Sequence, residues 1–202
     1  MDQETLNTIA VIVFGAVILL IAGGLIAVSV FKPSPSETRF TYNNFEFIKK
    51  MDVWTSLWQN KGQLYELSFR FSPKDVEDID IIGDLNLSLF NQKEIFISFD
   101  PNLDENYKYV ALASGELGLN LKRAMNRDPI FACTTQNTSS EGCAKQPAVS
   151  CDTPDRPVIL LDPKSNTKVV FNNSCIILGG EDLELVRSVD KMLYVWYGIM
   201  QR

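Results

Sequence analysis

Residues 104–125 read DENYKYVALASGELGLNLKRAM. Within them Tyr107, Val110, Ala111, Ser114, Leu117, Gly118, Leu121 and Met125 recur at three- and four-residue steps, the spacing that gathers side chains on one helical face. The stretch predicts an amphipathic helix of about five turns. Upstream the period is two. Phe40 and Tyr42, Phe45 and Phe47, then Val53, Thr55 and Leu57, then Tyr65, Leu67, Phe69 and Phe71 alternate, with breaks at Asn43-Asn44 and Asn60-Lys61-Gly62. That pattern predicts antiparallel strands joined by tight turns. Ser72-Pro73-Lys74-Asp75 reads as the start of a short helix, with serine as cap and proline in the first position. Further strands are expected at 81–82, 85–90, 94–99, 129–133, 158–161, 168–171 and 175–178, with Asn172-Asn173 at a hairpin tip. After Gly179-Gly180, a stripe of Leu183, Val186, Val189, Leu193, Trp196 and Met200 predicts a closing helix. The sum is an α+β fold, one domain over residues 39–202, with two long helices on one face of a largely antiparallel sheet.

The opening of the chain is of another kind. Residues 9–31, IAVIVFGAVILLIAGGLIAVSVF, carry no charge. They exceed the roughly 20 apolar residues needed to cross a bilayer core and predict one transmembrane helix, with the lipid bilayer as its partner. A secretory signal fits less well, because the preceding residues 1–8, MDQETLNT, are acidic and the apolar run is long. All 19 Lys and Arg, and every one of the 25 Asp and Glu except Asp2 and Glu4, follow the span. Residues 32–38, with Pro33 and Pro35 among small polar side chains, predict an extended spacer. The domain beyond is mildly acidic and has no basic block, which excludes capture of nucleic acid by charge.

Topology is argued in two directions. Lys32, Arg39, Lys49 and Lys50 follow the span and, by the positive-inside rule, would hold the domain in the cytoplasm. Against this stand Cys133, Cys143, Cys151 and Cys175. They lack CxxC spacing and, with no histidine in the chain, lack the partners of a zinc site. Four irregularly spaced cysteines among turn residues read as disulfides of an oxidising compartment, in any of three connectivities. The triplets at Asn137 and Asn172 are N-glycosylation acceptors in the same turn-rich region, and a third begins at Asn86. The domain is therefore read as extracytoplasmic.

The string YVALASGELGLNL, the spaced cysteines, PVILL, SCIILGG and the ending VDKMLYVWYGIM together resemble a set of single-span archaeal envelope proteins with a disulfide-containing C-terminal domain. No activity is known for that set. The resemblance implies an archaeal envelope setting and a membrane anchor, and carries over no catalytic residue.

Zero histidines exclude Ser-His-Asp triads, Cys-His dyads and HExxH zinc sites. No glycine-rich phosphate loop is present. Asp100, Asn102, Asp104 and Asn106 imitate the opening of a calcium loop, but Glu105 and Ala111 stand where glycine and glutamate are required, so a turn at a helix start is expected and no metal. Asp75, Glu77, Asp78, Asp80 and Asp84 are read as a solvated edge. Ser165 to Lys168 and Ser188 to Lys191 have Ser-x-x-Lys spacing without the strand-to-helix context of a serine enzyme. Glu116 is suspect as a carboxylate in the middle of an apolar helix, half buried against Arg123 or Lys122, though a surface helix charge is the plainer reading. Trp54, Trp58, Tyr194, Trp196 and Tyr197 are expected in the core. No cofactor, no catalytic residue and no carboxylate pair for a hydrolase can be nominated. The expected function is a single-pass envelope protein whose outward domain, without catalysis, binds or organises a protein or surface-polymer partner. The alternative is a pilin-like filament subunit, with the apolar helix in a fibre core and Glu4 near its start.

Overall fold

Alternating aromatic residues build the first sheet. In the computed structural model β1 (Thr38–Tyr42), β2 (Phe45–Lys50), β3 (Val53–Asn60) and β4 (Gln63–Phe69) form an antiparallel meander in sequence order. Two of its turns have left-handed residue pairs, Asn43 and Asn44 at φ 45° and 69°, and Lys61 and Gly62 at 50° and 83°. These are the primed turns whose twist matches that of the strands. Register then sets Phe40 against Phe47 and Trp54 against Phe69 on the inner face. The outer face carries charge, including a Lys50–Glu66 ion pair at 3.1 Å.

The structure describes residues 38–202 except 86, 104–106 and 139. The expected transmembrane helix at 9–31 and nearly all of the spacer lie outside the described residues. Among the described residues no helix is long and apolar enough to cross a membrane.

After a 3-10 turn at Pro73–Val76, capped by Ser72 with Asp75, the chain enters a second sheet. Its strands are β5 (Ile81–Leu85), β6 (Glu94–Phe99), β7 (Asp128–Cys133), β8 (Val158–Asp162), β9 (Lys168–Asn173) and β10 (Cys175–Gly179). Interleaved with them are α1 (Leu87–Phe90), α2 (Tyr107–Arg123), α3 (Glu141–Ala144) and, at the close, α4 (Leu183–Trp196). Strand order is β5-β9-β10-β8-β6-β7. β9 and β10 are antiparallel; every other pairing is parallel.

The α+β class and the two long helices stand as expected, and the single largely antiparallel sheet does not. Two sheets replace it, and parallel pairing dominates the second because β6 and β7 are joined through α2, a crossover long enough to return the chain to the same end. Strands such as EIFISF and VILLD, buried on both faces, have the near-continuous apolar text of covered parallel strands. Pro129 sits in β7, an edge strand, where its missing N–H costs no ladder bond. The strand expected at 85–90 is also corrected: β5 ends at Leu85 and residues 87–90 make one helical turn, which drives Phe90 edge-on against Trp196 with ring centroids 5.7 Å apart.

α2 and α4 pack on each other and bury the main core together with the inner face of the meander and one face of the second sheet. The other face of the second sheet carries a smaller cluster of Phe96, Ala132, Val149, Val158 and Cys175.

Candidate functional site

β4 is an edge strand, and α2 lies along it. Asn120 Nδ2 donates to the carbonyl of Glu116 at 2.9 Å and reaches that of Ser68 at 3.5 Å. The N–H of Arg70 donates to Glu116 Oε1 and to Asp190 Oδ2, both at 3.0 Å, and the N–H of Phe71 donates to Asp190 Oδ2 at 2.8 Å. Side chains of two helices thus supply the acceptors for the amides where the chain leaves β4. Tyr194 completes the closure by donating its hydroxyl to the Phe71 carbonyl at 2.6 Å.

Glu116 and Asp190 are consequently brought together. Asp190 is fully buried, and burial, then the neighbouring Glu116 carboxylate, pushes its pKa well above the ordinary aspartate range. Burial also raises Glu116, opposed by the hydrogen bond from Asp190 and by the Arg70 N–H and charge. Two carboxyls in contact in a dry site hold one proton between them. It stays with Asp190, the more strongly raised of the two, whose carboxyl is hydrogen-bonded to that of Glu116.

Above the pair, a groove of about 330 Å³ opens between β4 and α2, lined by Val53, Glu66, Arg70, Leu112, Glu116 and Leu119 among others. Arg70 brings to it a buried Nε–H with no acceptor among the described residues. Glu116 faces this groove, whereas Asp190 is sealed behind it and committed to two amides. The pair therefore stores a proton and clamps β4 to two helices; it does not offer two working carboxyls to a ligand.

The suspicion attached to Glu116 was the useful one, and the plainer reading of it as a surface charge is overturned: its partner is Asp190, not Lys122 or Arg123. Asp190 escaped notice, although it lies four residues after Val186 and three before Leu193, inside the apolar stripe of α4, where a carboxylate has to find a partner. The aromatic residues are core, as expected. Phe69 meets Tyr194 at 4.2 Å and Trp58 meets Tyr197 at 4.9 Å.

All four cysteines are paired, Cys133 with Cys143 and Cys151 with Cys175. Asn137 and Asn172 are both exposed. Asn172 pairs with Cys175 across the β9–β10 ladder, so the hairpin tip is Asn173-Ser174, one residue later than the sequence implied. Asn86, Asp104 and Asn106 lie outside the described residues. Asp100 Oδ1 accepts the Asn102 N–H at 2.9 Å, a local turn. Asp78 pairs with Arg187, and Asp75 caps the turn after β4. Ser188 donates to the Gly179 carbonyl and Lys191 to that of Glu77, which separates the two ends of that Ser-x-x-Lys spacing. Among the described residues no three acidic or cysteine side chains are grouped to hold a metal.

Comparison with protein-family models, curated proteins and solved structures yields no match.

Proposed function

We propose that this chain is a single-pass envelope protein whose outward domain binds a protein partner in the groove between β4 and α2, without itself performing chemistry. The observation that carries the reading is the pairing of all four cysteines in two disulfides, a state that persists in oxidising compartments and not in a reducing cytosol. The anchor and spacer of the sequence then put the domain outside the membrane, against the charge bias. The groove supports a polypeptide over a polymer of sugars: it combines an apolar bed of Val53, Leu112 and Leu119 with charges of both signs, and Arg70 Nε–H lacks the acceptor that a peptide carbonyl or carboxylate supplies.

Two measurements on the full chain in the membranes of producing cells test this. Alkylation of the unfolded protein before reduction is expected to label no cysteine. A photo-crosslinking phenylalanine at position 119 is expected to yield one discrete protein adduct that the same group at Gln59 does not. Four reactive thiols would return the domain to the cytoplasm, and equal labelling from both positions would remove the groove from the proposal.

A further inference from the structure

On another flank of α2 a second cleft, of about 300 Å³, opens between the first half of that helix and the C-terminal end of β7. Its walls are Phe99, Tyr107, Val110, Phe131, the Cys133 end of β7 and the Gly142 turn of α3. Phe99 and Tyr107 meet edge to face at 5.6 Å. Tyr107 and Phe131 remain 43% and 41% exposed, so apolar rings flank the cleft instead of filling it. No Asp, Glu, Lys or Arg lines it. Ser114, which does, is only 7% exposed, and its hydroxyl has no hydrogen-bond partner among the described residues.

Those facts constrain an occupant. A charged molecule would lose its hydration here with no counter-charge to replace it. A purely apolar one would leave the Ser114 hydroxyl unmet, at a cost that buried polar groups ordinarily avoid. The cleft is also at the end of the sheet on which parallel strands receive ligands, outside the carboxyl ends of β6 and β7 and beside the first half of their crossover helix. The volume lies at the lower end of the range for small-molecule pockets, roughly 300–1,000 Å³, which suits one or two fused rings.

We propose that this cleft is a binding site for a small, uncharged, ring-bearing molecule with one hydroxyl or carbonyl, its ring between Phe99, Tyr107 and Phe131 and its polar group on the Ser114 hydroxyl. The site shares Ala111 with the partner groove and no other lining residue, and it does not depend on which side of the membrane the domain faces.

The test uses the full chain in lipid nanodiscs, with 2-naphthol and naphthalene as probes and empty nanodiscs subtracted for lipid partitioning. Saturable binding of 2-naphthol, one per chain, is expected. Ser114→Ala should weaken 2-naphthol about five- to tenfold and bind naphthalene as tightly as before or tighter, because only the former uses the hydroxyl and the latter is spared leaving it unmet. Ala111→Phe, at an exposed helical position on the cleft, should block both probes. Thermal melts of both variants identify any that fails to fold, and amide resonances of residues 107–114 and 131–133 report the location of the probe in the unaltered protein. Absence of saturable binding to the unaltered protein, or shifts confined to other residues, overturns the proposal. So does binding of 2-naphthol that is unchanged by both substitutions.

Discussion

Replacing Asp190 by alanine strands one amide and weakens the hold on another. The N–H of Phe71 would lose its acceptor and that of Arg70 would keep only Glu116, so Asp190→Ala is expected to cost about 1–3 kcal/mol in denaturant unfolding. Asp190→Asn keeps an oxygen for the amides and an N–H for Glu116, so its loss should be near 1 kcal/mol. The two variants differ more sharply in pH dependence. Both carboxyls are raised in the folded protein, so the folded chain retains a proton that the unfolded chain releases above about pH 4. The stabilisation is full below that point and declines as pH rises through the raised folded values. Unfolding free energy should therefore fall from mildly acidic toward alkaline pH, and Asp190→Asn should flatten that slope. Asp78, lowered by its hydrogen bond from Arg187, works in the opposite sense, losing its contribution as pH falls. It is 69% exposed, so the effect is small. Tyr194→Phe, which deletes the 2.6 Å bond to the Phe71 carbonyl, should cost about 1–2 kcal/mol without changing the slope.

At the level of elements, the entry to α4 leaves no room for a side chain. Gly180 has φ 149°, and a Cβ there would lie 2.5 Å from the carbonyl carbon of Glu184 and 2.6 Å from the nitrogen of Leu185. Both atoms are backbone of the first helical turn and cannot yield. Gly180→Ala is expected to lower stability by about 3 kcal/mol or more, read as a shift in denaturation midpoint. The disulfides should differ from one another. Cys151–Cys175 closes a separation of 24 residues and Cys133–Cys143 one of 10. Loop entropy predicts that replacing the first pair by serines costs about 3.5 kcal/mol and the second pair about 2.8. The longer link also holds the chain over the Phe96 and Val158 cluster, which widens the difference.

Most elements were legible because their periods are local. The meander, α2 and α4 could be read from side chains a few positions apart, with turns marked by Asn43-Asn44 and Lys61-Gly62. Pairing was not legible in the same way. Nothing near Val158 says that it aligns with Phe96 on one side and Cys175 on the other; only the covered, doubly apolar text of β6 and β8 hints at parallel neighbours. The Glu116–Asp190 pair was hidden for a related reason, since its members stand on separate helices and meet only when α2 and α4 pack.

Taken as one object, the domain has a first sheet that cannot be finished from its own sequence. The inner rings of Phe47 and Phe69 rest on Tyr194, and the amides just past the end of β4 wait for Asp190, 120 residues after Arg70. During synthesis at about 5–20 residues per second, that interval lasts roughly 6–24 s. Throughout it, the nascent meander holds aromatic surface and a raw strand edge toward whatever surrounds the ribosome or the translocation channel. A chain stalled before residue 183 should therefore be protease-sensitive in 38–71 and bind a holding chaperone, and release of the full length should abolish both. The acid pair that stabilises the mature domain is in this sense also a completion signal: quality control of this protein has to tolerate an open, sticky first half until the last helix emerges.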